Sequence, residues 1–189
     1  MEQYEYFKLF HDIDRADFDL LAKKLKVKTF KKGDLIIVPE QIQREVYFVK
    51  TGVQMSYLET NKDKVQVIAF TYFQSLCAIP ESFLFQTPSK YFLTCLTNSE
   101  LEYITFNELQ QLFDQSQQLE RLFRRVAEFL LAGMIDRHTA LHSLTMEERF
   151  KAFCQRSPHL LGLVPHKYIA SYLGIDPTNF SKLFNNVRF

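Results

Sequence analysis

The stretch from His166 to Leu183, HKYIASYLGIDPTNFSKL, constrains this chain more than any other, because it reads as two short helices joined by a tight turn. Gly174 supplies the left-handed backbone that such a turn needs. Asp176 offers a side-chain cap, and Pro177 falls at the first helical position, where its missing N–H costs nothing. Ala170 is small where the two helices cross. Ile169, Leu173, Ile175, Phe180 and Leu183 stand where the pair needs apolar contacts. Phe180, Leu183, Phe184 and Val187 follow an i, i+3, i+4, i+7 spacing, which is a buried stripe. Thr178, Ser181, Lys182 and Asn185 follow the same spacing on another face, with hydrogen-bonding groups suited to base edges and phosphates. The plainer reading is an αα-hairpin with an ordinary solvated face, so the rest of the chain must weigh in.

Upstream, the period changes twice. Tyr4, Phe7, Phe10 and Ile13 share a helical face, and Asp14 can cap a second helix over 15–25 that buries Phe18, Leu21 and Leu25. Strand-like runs follow at Val27–Phe30, Leu35–Val38, Val46–Val49, Val53–Leu58, Val65–Phe70, Tyr91–Leu96 and Leu101–Ile104. Turn signals at Lys32-Gly33-Asp34, Thr51-Gly52 and the polar run 60–64 separate them. Strands at this density predict a compact antiparallel barrel or sandwich. The segment Thr71–Ser89 interrupts the rhythm, and its Pro80 and Pro88 bracket a short helix or loop at Glu81–Phe85.

From Asn107, a candidate cap for 108–113, helical periodicity returns. A long amphipathic run covers roughly 118–142, with Leu119, Leu122, Val126, Phe129 and Gly133 approaching an a/d repeat widened by Leu130 and Met134. A helix of this length needs its stripe buried. The stripe packs either on its own barrel or on a two-fold partner, and the pattern alone does not choose. Thr145 with Glu148 three residues later forms a capping box opening a helix to about Gln155.

Charge and cysteines narrow the setting. The chain of 189 residues has a net charge of only +1, yet from Thr145 onward six Lys/Arg face three Asp/Glu, a modestly basic end compatible with phosphate contact. Cys77, Cys95 and Cys154 make no CxxC and no disulfide framework, which fits free thiols in a reducing cytoplasm. The N-terminus lacks the basic start and apolar core of a signal peptide, and no apolar run approaches the roughly 18 residues that span a bilayer, so a cytoplasmic protein without membrane contact is expected. His138 and His142 stand i, i+4 on one helix, but no third ligand follows, and the cysteines lack the clustering an iron–sulfur centre needs; no metal is expected. No nucleophile elbow, glycine-rich phosphate loop or paired-carboxylate motif appears, so no catalytic residue is assigned and no enzyme is expected.

Barrel, long helix, capping-box helix and helix-turn-helix, in that order, resemble the cyclic-AMP receptor protein (Crp/Fnr) family of bacterial transcription regulators. The resemblance covers nearly the whole chain. It is carried by Phe30-Lys-Lys-Gly-Asp-Leu-Ile-Ile37 and Val46-Tyr-Phe-Val-Lys-Thr-Gly52 in the barrel. In the C-terminal part it is carried by Thr145-Met-Glu-Glu-Arg-Phe150, Ile169-Ala-Ser-Tyr-Leu-Gly-Ile175 and Phe180-Ser-Lys182, which are similar to a branch frequent in Bacteroidetes-type bacteria. It implies an α+β architecture: a cyclic-nucleotide-binding-like jelly-roll barrel over 1–117, a long dimerisation helix over 118–142, and a helix-turn-helix domain over 143–189. It implies a homodimer seamed by Leu119, Leu122, Val126, Phe129 and Gly133. Double-stranded DNA would be bound by Thr178, Asn179, Ser181, Lys182, Asn185 and Arg188, and RNA polymerase and a small-molecule effector are further partners that it implies. Lys182 and Arg188 would hold phosphates or a guanine edge, while Thr178, Asn179 and Ser181 read bases. The alternative is a ligand-sensing or protein-interaction module whose helix-turn-helix no longer binds DNA.

Three departures limit what carries over. Cyclic-AMP-binding members place a Gly-Glu pair and an Arg on the cassette that corresponds to Thr71–Ser89; here that cassette has no glycine, and no arginine lies between Arg44 and Arg121. Lys90 offers a point charge without the bidentate fork. No cofactor and no cyclic-AMP binding of the usual kind are therefore expected. The candidate effector pocket is Glu81, Phe83, Ser89, Lys90 and Tyr91, and its aromatics, with Phe73, Phe85 and Phe92, suit an apolar ligand or are plain core. Second, Glu40 stands where the family has a turn glycine, and a different loop shape is expected. Third, the sequence stops at Phe189, just after the second helix of the pair, so no wing is expected and DNA binding should lean on a second half-site.

Overall fold

The computed structural model describes residues 3–60 and 64–186. Two short helices, α1 (Gln3–Lys8) and α2 (Arg15–Ala22), precede β1 (Lys26–Phe30), β2 (Leu35–Ile37), β3 (Glu45–Thr51), β4 (Gln54–Thr60), β5 (Lys64–Thr71) and β6 (Leu76–Cys77). Helix α3 (Pro80–Phe85) then interrupts the strands before β7 (Phe92–Cys95) and β8 (Ser99–Thr105). The remainder is helical: α4 (Phe106–Gln115), α5 (Gln117–Ser143), α6 (Met146–Arg156), α7 (Leu160–Leu163), α8 (His166–Leu173) and α9 (Pro177–Asn186). All strand pairings are antiparallel, in two four-stranded sheets ordered β1-β8-β3-β6 and β2-β7-β4-β5. This is the jelly-roll barrel with C-terminal helices that the family resemblance implies.

Strand β3 shows why the barrel forms. Its continuous apolar run is buried on both faces, as a strand between two layers must be. Tyr47 and Val49 point into the space between the sheets with Ile37, Leu93 and Leu101. Val46 and Phe48 point the other way, under a helical layer in which Phe7, Phe18, Leu21, Leu112, Leu119 and Leu122 pack together. Asp14 caps α2 by accepting from the Asp17 N–H at 2.9 Å.

Two local expectations change, at Asn107 and at Glu40, and two elements are new. Thr105, not Asn107, caps α4: Thr105 and Glu108 form a reciprocal capping box, so the helix opens at Phe106. Strand β6 and helix α7, of two and four residues, are too short to leave a periodic signal. The turn expected over 60–64 lies partly outside the described residues. Glu40 keeps the left-handed conformation (φ 67) that a glycine would take, and its N–H donates to the Ser89 carbonyl at 2.8 Å. The loop thus holds a glycine-like geometry with a residue that pays about 1 kcal/mol for it. Glu40→Gly should leave the melting temperature unchanged or raise it by a few degrees, since relief of strain offsets the added chain entropy; a fall of several degrees in calorimetry would show that the Glu40 side chain contributes contacts of its own.

Candidate nucleic-acid interface and barrel cavity

The helix pair α8–α9 is built as its residues dictate. Gly174 adopts φ 62, and behind it the Gly174 and Ile175 N–H groups donate to the carbonyls of Ser171 and Ala170 at 3.1 and 2.9 Å, closing the helix end. Asp176 accepts from the Thr178 N–H at 2.8 Å, and Pro177 opens α9. Ala170 is fully buried at the crossing. Phe180 is buried against Phe150, ring to ring at 5.3 Å, and Phe184 lies 4.2 Å from the His166 ring.

The opposite face of α9 is open. Thr178, Ser181, Lys182 and Asn185 are exposed. Asn179 is only half-exposed, because its amide nitrogen reaches the Met146 sulfur at 4.0 Å and so turns toward α6. Arg188, with Val187, lies outside the described residues.

This pair is seated directly on the barrel. The Ser171 hydroxyl donates to the Val65 carbonyl at 2.7 Å and accepts from the Val67 N–H at 3.0 Å, so α8 stands in for a neighbouring strand at the open edge of β5. Tyr172 packs on Phe70 at 5.3 Å, and the Tyr72 hydroxyl meets Ser157 at 2.9 Å. Val53 belongs to the same buried cluster as Phe150, Ile169, Leu173 and Phe180, flanked by Phe70, Tyr72 and Leu96. One apolar core therefore runs from barrel to helix pair.

Arg137 of α5 ties the three parts together. Its guanidinium donates to the carbonyls of Ile68 (2.6 Å), Val67 (3.3 Å) and Tyr172 (2.9 Å), and it lies over the Tyr172 ring at 4.2 Å. Its Nε is buried with no hydrogen-bond partner among the described residues. No ion pair among the described residues includes it. Burial pulls the Arg137 pKa below its ordinary value, opposed by Tyr172 and aided by Arg156. Sequence reasoning alone misses Arg137. The signal was there: in the row Val126, Leu130, Gly133, Arg137, an arginine occupies a position of the apolar stripe.

Between α5, α3 and the sheet holding β4 and β5 lies a cavity of about 430 Å³. Its walls are mostly apolar, and Arg137 and Tyr172 stand on its lining beside the hydroxyl residues Ser56 and Thr71. Of the residues predicted for the effector pocket, Phe83 lines this cavity and the other four do not. Ser89 is fully buried and employed in fixing its own loop: its N–H donates to the Gln41 carbonyl, and its hydroxyl bonds the Tyr91 backbone. Lys90 is exposed, Tyr91 packs against the inter-sheet core, and Glu81 is half-buried at the start of α3.

The residues predicted for a dimer seam divide. Leu119 and Leu122 are 0% exposed within the chain's own helical layer, which leaves them no surface for a partner. Val126 is half-buried there too. Phe129 is exposed, edge-on to Phe10 at 5.4 Å, and Gly133 is exposed. Beyond them, Leu131, Met134 and Ile135 are 60, 57 and 57% exposed, an apolar stripe left uncovered among the described residues. His138 and His142 continue it, rings 4.3 Å apart.

Other chemistry is sparse. The three cysteines are buried and free, and burial pushes the Cys77 thiol up to about 12, which makes it an inert thiol at neutral pH. Among the described residues no group of three potential metal ligands occurs, and no helix is long and apolar enough to cross a membrane.

No family model and no curated protein matches the chain by sequence. Solved structures do match by shape. The regulator FixK2 of Bradyrhizobium japonicum superposes with a TM-score of 0.72 at 18% identity, over 85% of this chain and 83% of that one. A Crp/Fnr-type transcriptional regulator from Eubacterium rectale gives 0.70 at 15% identity, over 96% and 86%. The catabolite activator protein of Thermus thermophilus gives 0.60 at 16%, over 94% and 84%. The fold is that of the Crp/Fnr transcription regulators, from barrel to helix-turn-helix.

Proposed function

We propose that the chain is a transcription regulator that binds double-stranded DNA as a homodimer and whose barrel answers to a small molecule other than cyclic AMP. The observation that carries this reading is the division of α9: its apolar face is locked into a core by Phe180, while Thr178, Ser181, Lys182 and Asn185 are exposed on the other face, with no side-chain partner among the described residues. Such a helix, presented by a rigid partner helix, suits the major groove. Asn179, turned toward Met146, is a poorer candidate for a base contact than its neighbours.

Dimerisation follows the exposed part of α5. The stripe Leu131, Met134 and Ile135 replaces Leu119 and Leu122 as the proposed seam, with Phe129 at its edge. Two copies would place their recognition helices about one helical turn, roughly 34 Å, apart. With Lys182 as the one cation on the exposed face of α9 among the described residues, affinity from a single half-site is low, and the pair is what gives a useful constant.

Binding selection from a random-sequence duplex library, followed by fluorescence titration, tests this. A palindromic site should be enriched. Lys182→Ala should weaken binding to it several-fold and lower the salt slope by about 1, without changing the melting temperature. Equal, weak binding to every duplex would instead support a sensor or protein-interaction module that no longer reads DNA.

A further inference from the structure

The cavity beside α5 combines features that specify a ligand. Its volume of about 430 Å³ falls within the range of small-molecule sites. Ile68, Phe83, Phe123, Val126, Leu130 and Met134 give it an apolar lining that would leave the polar edge of a nucleotide unpaired. At the same lining stands Arg137, a cation whose partners among the described residues are all neutral, three carbonyls and the Tyr172 ring, with one buried N–H left without a partner there. A guanidinium binds a carboxylate with two charge-assisted hydrogen bonds, each stronger than a bond to a neutral carbonyl.

We propose that this cavity binds a small apolar monocarboxylic acid, its hydrocarbon body in the cavity and its carboxylate on Arg137. Arg137 would take the acid in exchange for the carbonyls of Val67, Ile68 and Tyr172 that it now holds. Because one of those carbonyls belongs to α8, the exchange removes a tie between the helix pair and β5. Ligand binding and release of the helix pair are thereby one event: the acid gains Arg137 only in the state where Arg137 has left α8, which is the difference in affinity that a shift of population requires. The inference rests on reading the barrel as the sensing half, and it does not require that DNA be bound.

Calorimetry on the full chain with octanoate and phenylacetate, each beside its methyl ester, is the direct test. At least one acid should bind with a stoichiometry of one per chain, and its neutral ester at least tenfold more weakly. Arg137→Gln should bring the acid down to the level of its ester. Equal binding of acid and ester by the unaltered protein, or binding of neither acid, overturns the proposal. Should Arg137→Gln fail to fold, Leu130→Trp serves in its place: the chain has no tryptophan, so this variant puts a single fluorophore on the cavity wall. Its emission should shift with the same midpoint that calorimetry gives, and an unmoved emission places the acid elsewhere and sinks the assignment. The Val67 amide, which now donates to Ser171, reports the release; its hydrogen exchange should rise several-fold when acid saturates, and unchanged exchange overturns the trade at Arg137. Site selection by the ligand-free protein is scored separately, so failure to bind DNA and failure to bind acid are told apart.

Discussion

Gly52→Ala is expected to destabilise the barrel by about 2–5 kcal/mol, the sum of a left-handed backbone penalty and an overpacking penalty. Gly52 has φ 90, and a methyl group placed on it would stand 2.6 Å from the Asn98 carbonyl oxygen and 2.8 Å from the Ser99 Cα, besides striking the Ser99 hydroxyl. The first two are backbone atoms. They cannot swing aside as a side-chain tip would, and Ser99 is held in turn by Gln54, which donates to its hydroxyl at 2.9 Å, and by its own bond to the Thr97 carbonyl. Gly33 provides the control. Its φ of 91 is nearly the same, yet nothing lies within 4 Å of the position a methyl would take. Gly33→Ala should therefore show the backbone penalty alone, about 1–2 kcal/mol. Urea unfolding of both variants, read at constant m-value, separates the two contributions; equal losses would mean that contact around Gly52 is not what makes glycine necessary there.

Phe180→Ala is expected to cost about 3–5 kcal/mol and to abolish site-specific DNA binding. Phe180 is 1% exposed and is the side chain that seats α9 on Phe150 and on the His166 ring. Its loss leaves a cavity under the proposed recognition helix, so the polar face is no longer presented in one orientation. The comparison with Lys182→Ala is informative: one removes the seat and lowers stability, the other removes a contact and does not. Retained site selection in a folded Phe180→Ala protein would show that α9 holds its orientation without that ring, contrary to this account. The barrel has two buried clusters of its own, so its signal should persist when the helix pair loosens.

Those two experiments probe features that differ in how openly the sequence displays them. The helix pair was legible almost to the residue, since Gly174, Asp176, Pro177 and the spacing of Phe180 and Leu183 each impose a local geometry regardless of surroundings. The strands from β1 to β5, β7 and β8 were legible from their apolar runs. The capping box that opens α6 was legible, and the one that opens α4 was present as well, although Asn107 competed with Thr105 for the role. What escaped were elements too short to repeat a period, and contacts between segments far apart in the chain.

The effector pocket shows this second limit. Ser89 and Lys90 stand where the resemblance places a ligand contact, but the loop uses Ser89 to hold its own backbone and leaves Lys90 in solvent. The charge that faces the cavity comes instead from Arg137, nearly fifty residues later on a different element. In the same way, the stripe on α5 is one continuous pattern, yet α1, α2 and α4 cover its first turns and leave the rest bare. Periodicity states that a face is apolar; it carries no information about what will lie against it.

By itself, the sequence determined the order of the parts, the barrel class, the turn of the helix pair and the two faces of α9, because each follows from backbone preference and from side chains a few positions apart. Only the tertiary structure decided that Leu119 and Leu122 belong to the chain's own core, that Ser171 and Arg137 fasten the helix pair to the edge of β5, and that a half-buried arginine with no counter-ion among the described residues borders an apolar cavity. Those outcomes depend on which residues distant in sequence end up within a few ångströms of each other, and burial and unpaired charge exist only once they do.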